Sequence, residues 1–303
     1  MSQSPPKIFD RAQVAQHRNR ASSAFGEYAF LKERESIGLI ERIEDVSRHF
    51  DRVLDLGGHI GTTAKHLTGH PQVGEVVSAD LSPRMVESML RAGLNAQVVD
   101  EEALPFAPDS FDLVTSVLSL HWVNDLPGAL IQIRNCLKAD GLFLGCMFGG
   151  GTLSELRTAL VQAESEVTGG VSPRVSPLPG LQDMAGLLQR AGFALPVADV
   201  ERVTVRYDNA LKLMGDLKGM GEQAAFVMRP DQSRRGLSRR ILARANEIYA
   251  EQFSDRDGRI RASFEIVWLS GWVPHENQPK PLKPGSARMS LADAVNRAAK
   301  DKN

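Results

Sequence analysis

The sequence has few cysteines, no excess of basic residues and no long apolar run. Its 303 residues include two cysteines, Cys136 and Cys146, which make no metal-binding spacing and suggest a reducing compartment. Lysine and arginine number 36 and aspartate and glutamate 37, so no positive surplus exists to hold a phosphate backbone, and nucleic acid is not an expected substrate. No stretch approaches the roughly 20 apolar residues that span a bilayer, so no integral membrane segment is expected.

What remains is typical of a soluble enzyme. The chain is 42% hydrophobic and 24% charged, and it is long enough to bury a full core as one large domain or as one domain with an elaboration. Its start, Met-Ser-Gln-Ser-Pro-Pro, lacks the apolar core of a signal peptide and an Arg-rich transit segment. The cytoplasm of a bacterium is therefore the expected location.

The most informative segment is an apolar run that ends in an acid and continues into glycines. It reads Val53-Leu-Asp-Leu-Gly-Gly-His-Ile-Gly61, and it predicts a buried parallel strand, a tight turn and a helix. About 25 residues later, the run from Val76 to Asp80 predicts a second strand that also ends in an acid. In a doubly wound sheet a carboxylate at this place binds the two hydroxyls of a ribose. Because Asp80 is predicted to lie at a strand end and not in the core, we expect Asp80→Ala to abolish cofactor binding and to leave the fold intact.

A third acidic segment separates this pattern from a dinucleotide site. The three glycines fit the pyrophosphate motif G-x-G-x-x-G poorly. Their spacing after Asp55, with the segment Asp100-Glu-Glu-Ala-Leu-Pro-Phe106 and the strand that follows Ser110, resembles class I methyltransferases instead.

That resemblance implies S-adenosylmethionine as the cofactor, with the Asp100 carboxylate at the adenine amino group. His59 stands where the family's turn has its middle glycine, and a side chain there can crowd the methionine moiety. The cofactor-binding residues that it implies are Asp55, Gly57, Gly58, Gly61, Asp80, Leu81, Asp100, Glu101 and Val117.

Helical and strand patterns alternate along the chain as in an α/β protein. We expect a class I methyltransferase (Rossmann-like) fold, with a seven-stranded, mostly parallel sheet, helices on both faces and an antiparallel edge. The predicted divisions are an N-terminal helical segment (1–50), a cofactor-binding core (51–149), a C-terminal completion of the sheet with helices and a proline-rich loop (150–273), and a tail (274–303) that holds a weak helix at 291–299.

Several further segments resemble one family, the methyltransferase-like assembly factors of respiratory complex I. They are Ile8 to Arg11, Ser119 to Pro127, Met147 to Gly150, Thr152 to Arg157, Gly170 to Pro177, Met220 to Glu222 and Pro274 to Gln278. Members of that family are associated with hydroxylating an arginine of the iron–sulfur subunit next to the quinone site. The resemblance implies a protein substrate, a peripheral-arm subunit of complex I. Two alternatives stay open: methylation of a small or carrier-bound acid, and a non-catalytic assembly chaperone.

Catalytic candidates come from the expected edge of the sheet. His121 follows the fourth predicted strand and is the candidate general base, although it can equally pack the rim beside Trp122. Glu102, Glu155 and Glu222 are candidates for receiving an arginine side chain, because a buried guanidinium needs carboxylate partners.

Two other groups of residues are expected to be structural. Arg11, Arg18 and Arg20 on the N-terminal helical segment predict a solvated basic face, with a lid or a contact to the cofactor's carboxylate as the alternative. His66 and His70 have helical spacing, but Gly69 and Pro71 end that helix, so no metal site is expected.

Overall fold

The computed structural model describes residues 7–227 and 236–278, which form a seven-stranded sheet with the strand order β3-β2-β1-β4-β5-β7-β6. The strands are β1 (Phe50–Leu56), β2 (Val73–Asp80), β3 (Ala96–Val98), β4 (Phe111–Val117), β5 (Leu137–Phe148), β6 (Ala194–Tyr207) and β7 (Ile260–Trp272). The helices are α1 (Arg11–Ala21), α2 (Phe25–Tyr28), α3 (Phe30–Glu44), α4 (Thr62–Leu67), α5 (Pro83–Arg91), α6 (Leu126–Cys136), α7 (Ser154–Thr168), α8 (Leu181–Arg190), α9 (Ala210–Gly219) and α10 (Arg239–Phe253). A 3₁₀ turn, Leu120–Trp122, follows β4.

The five strands from β3 to β5 run parallel, with β1 and β4 at the centre. Every residue of β4 is buried, as expected for a strand covered by helices on both faces. In the register, Asp55 of β1 lies opposite Ser78 of β2 and Thr115 of β4. The carboxyl ends of these three strands therefore meet at one edge, and the loops that leave them face the same cleft.

β7 closes the sheet by running antiparallel between β5 and β6. The predicted fold class is thus confirmed, with its antiparallel edge made by β7 and β6. β5 begins at Leu137, which pairs with Phe111 of β4, and β7 begins at Ile260, which pairs with Tyr207 of β6.

Helices cover both faces of the sheet and build two apolar layers. On one face, α3, α7, α9 and α10 bury side chains such as Leu39, Leu160 and Ile248. On the other face, α6 and α8 bury Ile133 and Leu188. The start of α5 agrees with the sequence, since the Ser82 side chain accepts a hydrogen bond from the Met85 N–H and caps the helix.

The N-terminal segment crosses the carboxyl edge of the sheet. Phe9 packs edge-on against Trp122 and stacks on Phe226, and its backbone forms an isolated β-bridge with Phe226. Asn124 binds this segment through hydrogen bonds with the backbone of Ile8 and Phe9. Among the described helices none is long and apolar enough to cross a membrane. The helix predicted at 291–299 lies outside the described residues, and the four divisions of the chain stay a prediction.

Candidate cofactor and substrate cleft

The glycine turn between β1 and α4 leaves no space for most side chains. Gly57 has φ 73°, and a Cβ there would overlap the Ser119 hydroxyl. Gly61, with φ 82°, faces Leu94 in the same way. These two positions therefore require glycine both for conformation and for space.

His59 also adopts the left-handed conformation, with φ 53°. Its N–H donates to Asp80 Oδ2 over 3.0 Å, and its ring stacks on Phe25 with centroids 4.9 Å apart. A left-handed residue other than glycine costs roughly 1–2 kcal/mol, which these contacts offset. Burial, with Lys32 and Arg18 nearby, lowers the pKa of His59, so its ring is neutral. The chain thus keeps the backbone shape of the glycine turn while placing an imidazole against the expected methionine position.

Two buried ionisable side chains, Asp55 and Lys32, stabilise the region around this turn. Asp55 accepts a hydrogen bond from Ser78 Oγ over 3.1 Å, and burial raises the pKa of its carboxyl. Lys32 Nζ donates to the carbonyl oxygens of Gly57, over 2.8 Å, and Val117, over 2.6 Å. Burial lowers the pKa of this lysine, whose charge the nearby Asp55 supports. The Lys32 ammonium group lies where β1 and β4 end, so Val117 contributes to the site through its backbone carbonyl oxygen.

Asp80 lies at the end of β2, as expected, but it is fully buried rather than outside the core. Its Oδ1 accepts from the Ser82 N–H over 2.8 Å, and its Oδ2 accepts from His59 and from Arg18 Nη1 over 3.2 Å. The expectation that Asp80→Ala leaves the fold intact is therefore wrong in its premise: the substitution would remove a carboxylate that neutralises a buried guanidinium.

Arg18 is the cation at the centre of the cleft, and its side chain is 1% exposed. Its Nη1 also lies 3.2 Å from Glu101 Oε1, and its Nη2 donates to Ser119 Oγ over 2.8 Å. Burial opposes its charge, but Asp80 and Glu101 together raise the pKa of this arginine. Burial likewise opposes the Glu101 carboxylate, yet Arg11 and Arg18 lower its pKa to about 2. Arg11, Arg18, Asp80 and Glu101 thus form one buried cluster, in which two positive charges offset two negative charges.

Arg11 completes this cluster from the start of α1. It pairs with Glu101 and lies 2.8 Å from Asp100 Oδ1. The predicted solvated basic face is therefore wrong for Arg11 and Arg18, and right only for the exposed Arg20. The physical reason is that the acidic ends of β2 and β3 need cations when they are covered, and α1 supplies them.

His121 lies in the 3₁₀ turn after β4 and pairs with Glu222. His121 Nε2 is 2.9 Å from Glu222 Oε2, and the same oxygen accepts from Trp122 Nε1 over 2.9 Å. The other two candidate acids lie elsewhere. Glu102 accepts from the Asn124 backbone and side chain, and Glu155 accepts from Ser263 on β7.

The described part of the cleft contains a cavity of about 20 Å³, enough for one water molecule. Its walls include Phe25, Tyr28, Lys32, His59, Phe148 and Glu222. Leu81 lies partly buried beside the cluster of Phe9 and Trp122. The cleft is thus closed by the N-terminal segment, and Arg18 pairs with Asp80 and Glu101, two acids that the sequence analysis assigned to cofactor binding.

The sequence analysis did not identify Lys32 as a site residue, and it considered Arg18 only as the alternative to a solvated basic face. A signal for Lys32 was present, because it shares the face of α3 with Leu39 and Ile43, where an apolar side chain is expected. His66 and His70 instead bond to Glu33 and Glu44 on α3. Within residues 7–227 and 236–278 no three His, Cys, Asp or Glu side chains are placed to hold a metal ion.

The sheet order and the glycine turn define the class I methyltransferase fold. A methyltransferase-domain family model matches residues 54–145. Among solved structures, YcgJ from Bacillus subtilis superposes with a TM-score of 0.55 at 20% identity, covering 80% of this chain and 99% of that one. A phosphoethanolamine N-methyltransferase from Haemonchus contortus, solved with S-adenosyl-L-methionine, gives 0.50 at 20% identity, covering 80% of this chain and 53% of that one. At such identities the likeness shows the fold.

Proteins related in sequence identify the family within this fold class. The chain is 40% identical to the zebrafish protein named arginine-hydroxylase NDUFAF5, mitochondrial, over 94% of this chain and 89% of the relative. The human protein of that name is 39% identical over 94% of this chain and 83% of its own. The chain belongs to the NDUFAF5 arginine-hydroxylase family, whose members are methyltransferase-fold enzymes. A malonyl-[acyl-carrier protein] O-methyltransferase from Halorhodospira halophila is 32% identical, over 96% of this chain and 97% of the relative.

The names of these relatives also correct one expectation. The zebrafish and human proteins are named as mitochondrial, so the predicted cytoplasmic location is wrong. The prediction depended on the first residues of the given sequence, whereas the names of the relatives indicate the mitochondrion.

Proposed function

We propose that this protein binds S-adenosylmethionine and hydroxylates an arginine on an iron–sulfur subunit of the peripheral arm of complex I during assembly. The observation that carries the proposal is the relation to arginine hydroxylases over nearly the whole chain. The cleft supports it, because carboxylates from two separate segments, Asp80 at the end of β2 and Asp100–Glu101 after β3, pair with the guanidinium groups of Arg11 and Arg18. Carboxylates at this edge of the sheet give the cleft the chemistry that a cationic side chain requires.

The residues at the edge of the sheet fit the cofactor. Asp80 presents two acceptor oxygens at the end of β2, as a ribose requires, and the turn at Gly57 and Gly61 admits close backbone approach. When bound, S-adenosylmethionine supplies a sulfonium that activates the carbon atoms attached to it. Arg18 now occupies the Asp80 carboxylate, so cofactor binding requires α1 to withdraw this side chain.

A methyl transfer to a carrier-bound acid is the second candidate function. The relation to the O-methyltransferase of Halorhodospira halophila favours it. In that case Lys32 and Arg18 would face an anionic substrate, and the acids around them would oppose it. The acidic residues of the cleft favour a cationic substrate, so we prefer arginine modification to methylation of an acid.

Co-expression with the client subunit tests the proposal, because the cell then supplies the oxidant. Peptides from the purified client are compared by mass spectrometry with those from cells that lack the protein. We expect one arginine to gain the mass of an oxygen atom. A methylene mass on a carrier-bound acid would replace the first function with the second. An unmodified client, with no modified carrier, would leave the non-catalytic chaperone.

Asp80→Asn tests the cofactor site, with Asp112→Asn as the matched control. Asp112 is a buried carboxylate of the same sheet, but it lies at the opposite end of β4, where it pairs with Lys138. In calorimetric titration we expect Asp80→Asn to lose S-adenosylmethionine binding and Asp112→Asn to retain it. Equal affinities in the two variants would exclude Asp80 as the ribose ligand.

A further inference from the structure

His121 carries an unused hydrogen-bonding atom in the interior. Its Nε2 faces Glu222 Oε2, and a carboxylate oxygen can only accept a hydrogen bond. The hydrogen of this bond is therefore on Nε2, and an imidazole whose single ring hydrogen is on Nε2 has Nδ1 as an acceptor. Nδ1 is buried and has no hydrogen-bond partner among the described residues.

The ring is held firmly in this state. Its centroid lies 5.5 Å from that of Trp122 and 4.8 Å from that of Phe148, so packing opposes a rotation that would bring Nδ1 to another donor. A buried acceptor without a partner is unfavourable, because it has lost its hydrogen bonds to water. Trp122 adds a second hydrogen bond to the same Glu222 oxygen, so three side chains cooperate to hold an unpaired atom in place.

Glu222 faces the cavity at the end of the cleft, and His121 lies behind it, in contact with Glu222 and Phe148, which both line the cavity. The cavity has room for one water molecule, so a guanidinium enters only when the cleft opens, as cofactor binding also requires. Glu222 lines that cavity together with Phe148, Tyr28 and Met220, and its side chain is 10% exposed. Its second oxygen, Oε1, accepts no hydrogen bond from the described part of the chain. A carboxylate edge beside aromatic rings suits a planar cation, which can pair with the oxygen and stack on a ring.

We propose that His121 Nδ1 accepts a hydrogen bond from the guanidinium of a substrate arginine, and that Glu222 is the positioning residue that fixes the His121 tautomer and supplies the opposing charge. The inference rests on the proposed function and deepens it, since it assigns the guanidinium of the substrate to named atoms. Glu155, which the sequence offered as an equal candidate, is occupied by Ser263 and takes no part.

The first test needs no turnover. Nitrogen-15 spectra of histidine-labelled protein are recorded with N-acetyl-arginine amide and with its neutral isostere, N-acetyl-citrulline amide; His121→Gln assigns the signal. We expect His121 in the Nε2–H form and a shift of its Nδ1 resonance with the arginine probe, at least tenfold weaker with the citrulline probe. No shift with the arginine probe, or equal affinity for both probes, would overturn the inference.

Glu222→Gln is the second test, with Glu155→Gln as the matched control. The amide keeps an acceptor oxygen for His121 and Trp122 but removes the charge, so the fold is expected to persist. We expect the arginine probe to bind about tenfold more weakly to Glu222→Gln and unchanged to Glu155→Gln, with S-adenosylmethionine affinity unchanged in both. Equal loss in both variants would refute the assignment. Probe binding without any modified client would instead refute the proposed function alone.

Discussion

Replacing Arg18 by methionine is expected to destabilise the closed cleft strongly. Methionine has a similar length and fills the space, so the main change is the loss of the guanidinium. Asp80 and Glu101 would then stay buried with one fewer cation. The variant therefore isolates the electrostatic part of the cluster from its packing.

The magnitude follows from the partners that remain. Removing one member of a buried ion pair typically costs about 3–5 kcal/mol. Asp80 keeps the N–H groups of His59 and Ser82, and Glu101 keeps Arg11 and Ser119. Because both carboxylates retain donors, we expect the lower end, about 3 kcal/mol.

Urea unfolding measures this loss, with Arg20→Met as the control on the same helix. Arg20 is exposed, so its replacement should change the free energy of unfolding by less than about 0.5 kcal/mol. Glu101→Gln in the Arg18→Met background should recover part of the loss, since an amide needs no counter-charge. If Arg18→Met were as stable as Arg20→Met, the guanidinium could not lie between two buried carboxylates, and the closed cleft would be refuted.

Three further predictions concern single side chains. The pKa of Glu101 is lowered from 4.5 to about 2, so its carboxylate contributes about 3 kcal/mol to the free energy of unfolding above pH 5, and this contribution is lost as the pH falls through 2. Glu101→Gln should therefore weaken the dependence of the unfolding free energy on pH in acid, and an unchanged dependence would contradict this. Gly57→Ala should destabilise the fold far more than Gly93→Ala, because both have positive φ but only Gly57 faces a side chain, that of Ser119; equal unfolding free energies would argue against the close approach. Burial raises the pKa of Cys146, so iodoacetamide should label it only after unfolding; rapid labelling of the native protein would show an open core.

Sequence reasoning recovered the sheet because its signals are local. The apolar runs that end in Asp55 and Asp80, and the turn at Gly57, predict strands and their shared edge without knowledge of distant contacts. The predicted cofactor residues were placed together for the same reason, since the carboxyl ends of parallel strands converge. Their role in binding stays a prediction.

The cations of the cleft could not be predicted in this way. Arg18 meets its partners across 62, 83 and 101 residues of sequence, and nothing near Arg18 announces them. The only local signal was the spacing of Val14, Arg18 and Ala21, which puts a charged side chain on the buried face of α1. A charge on an apolar stripe is more often solvated, so the pattern alone favoured the wrong interpretation.

The bridge between Phe9 and Phe226 also fixes when the cleft can be completed during synthesis. Arg18 is made early, but the strand partner of its segment and the Glu222 carboxylate emerge roughly 200 residues later, about 10–40 s at 5–20 residues per second. During that interval α1 can pair with Asp80 and Glu101, but it lacks the later segment that packs against it. A ribosome-bound chain that ends before residue 223 therefore lacks the contacts of residues 223–226 with Phe9, Asp10 and His17, which hold the N-terminal segment over the cleft.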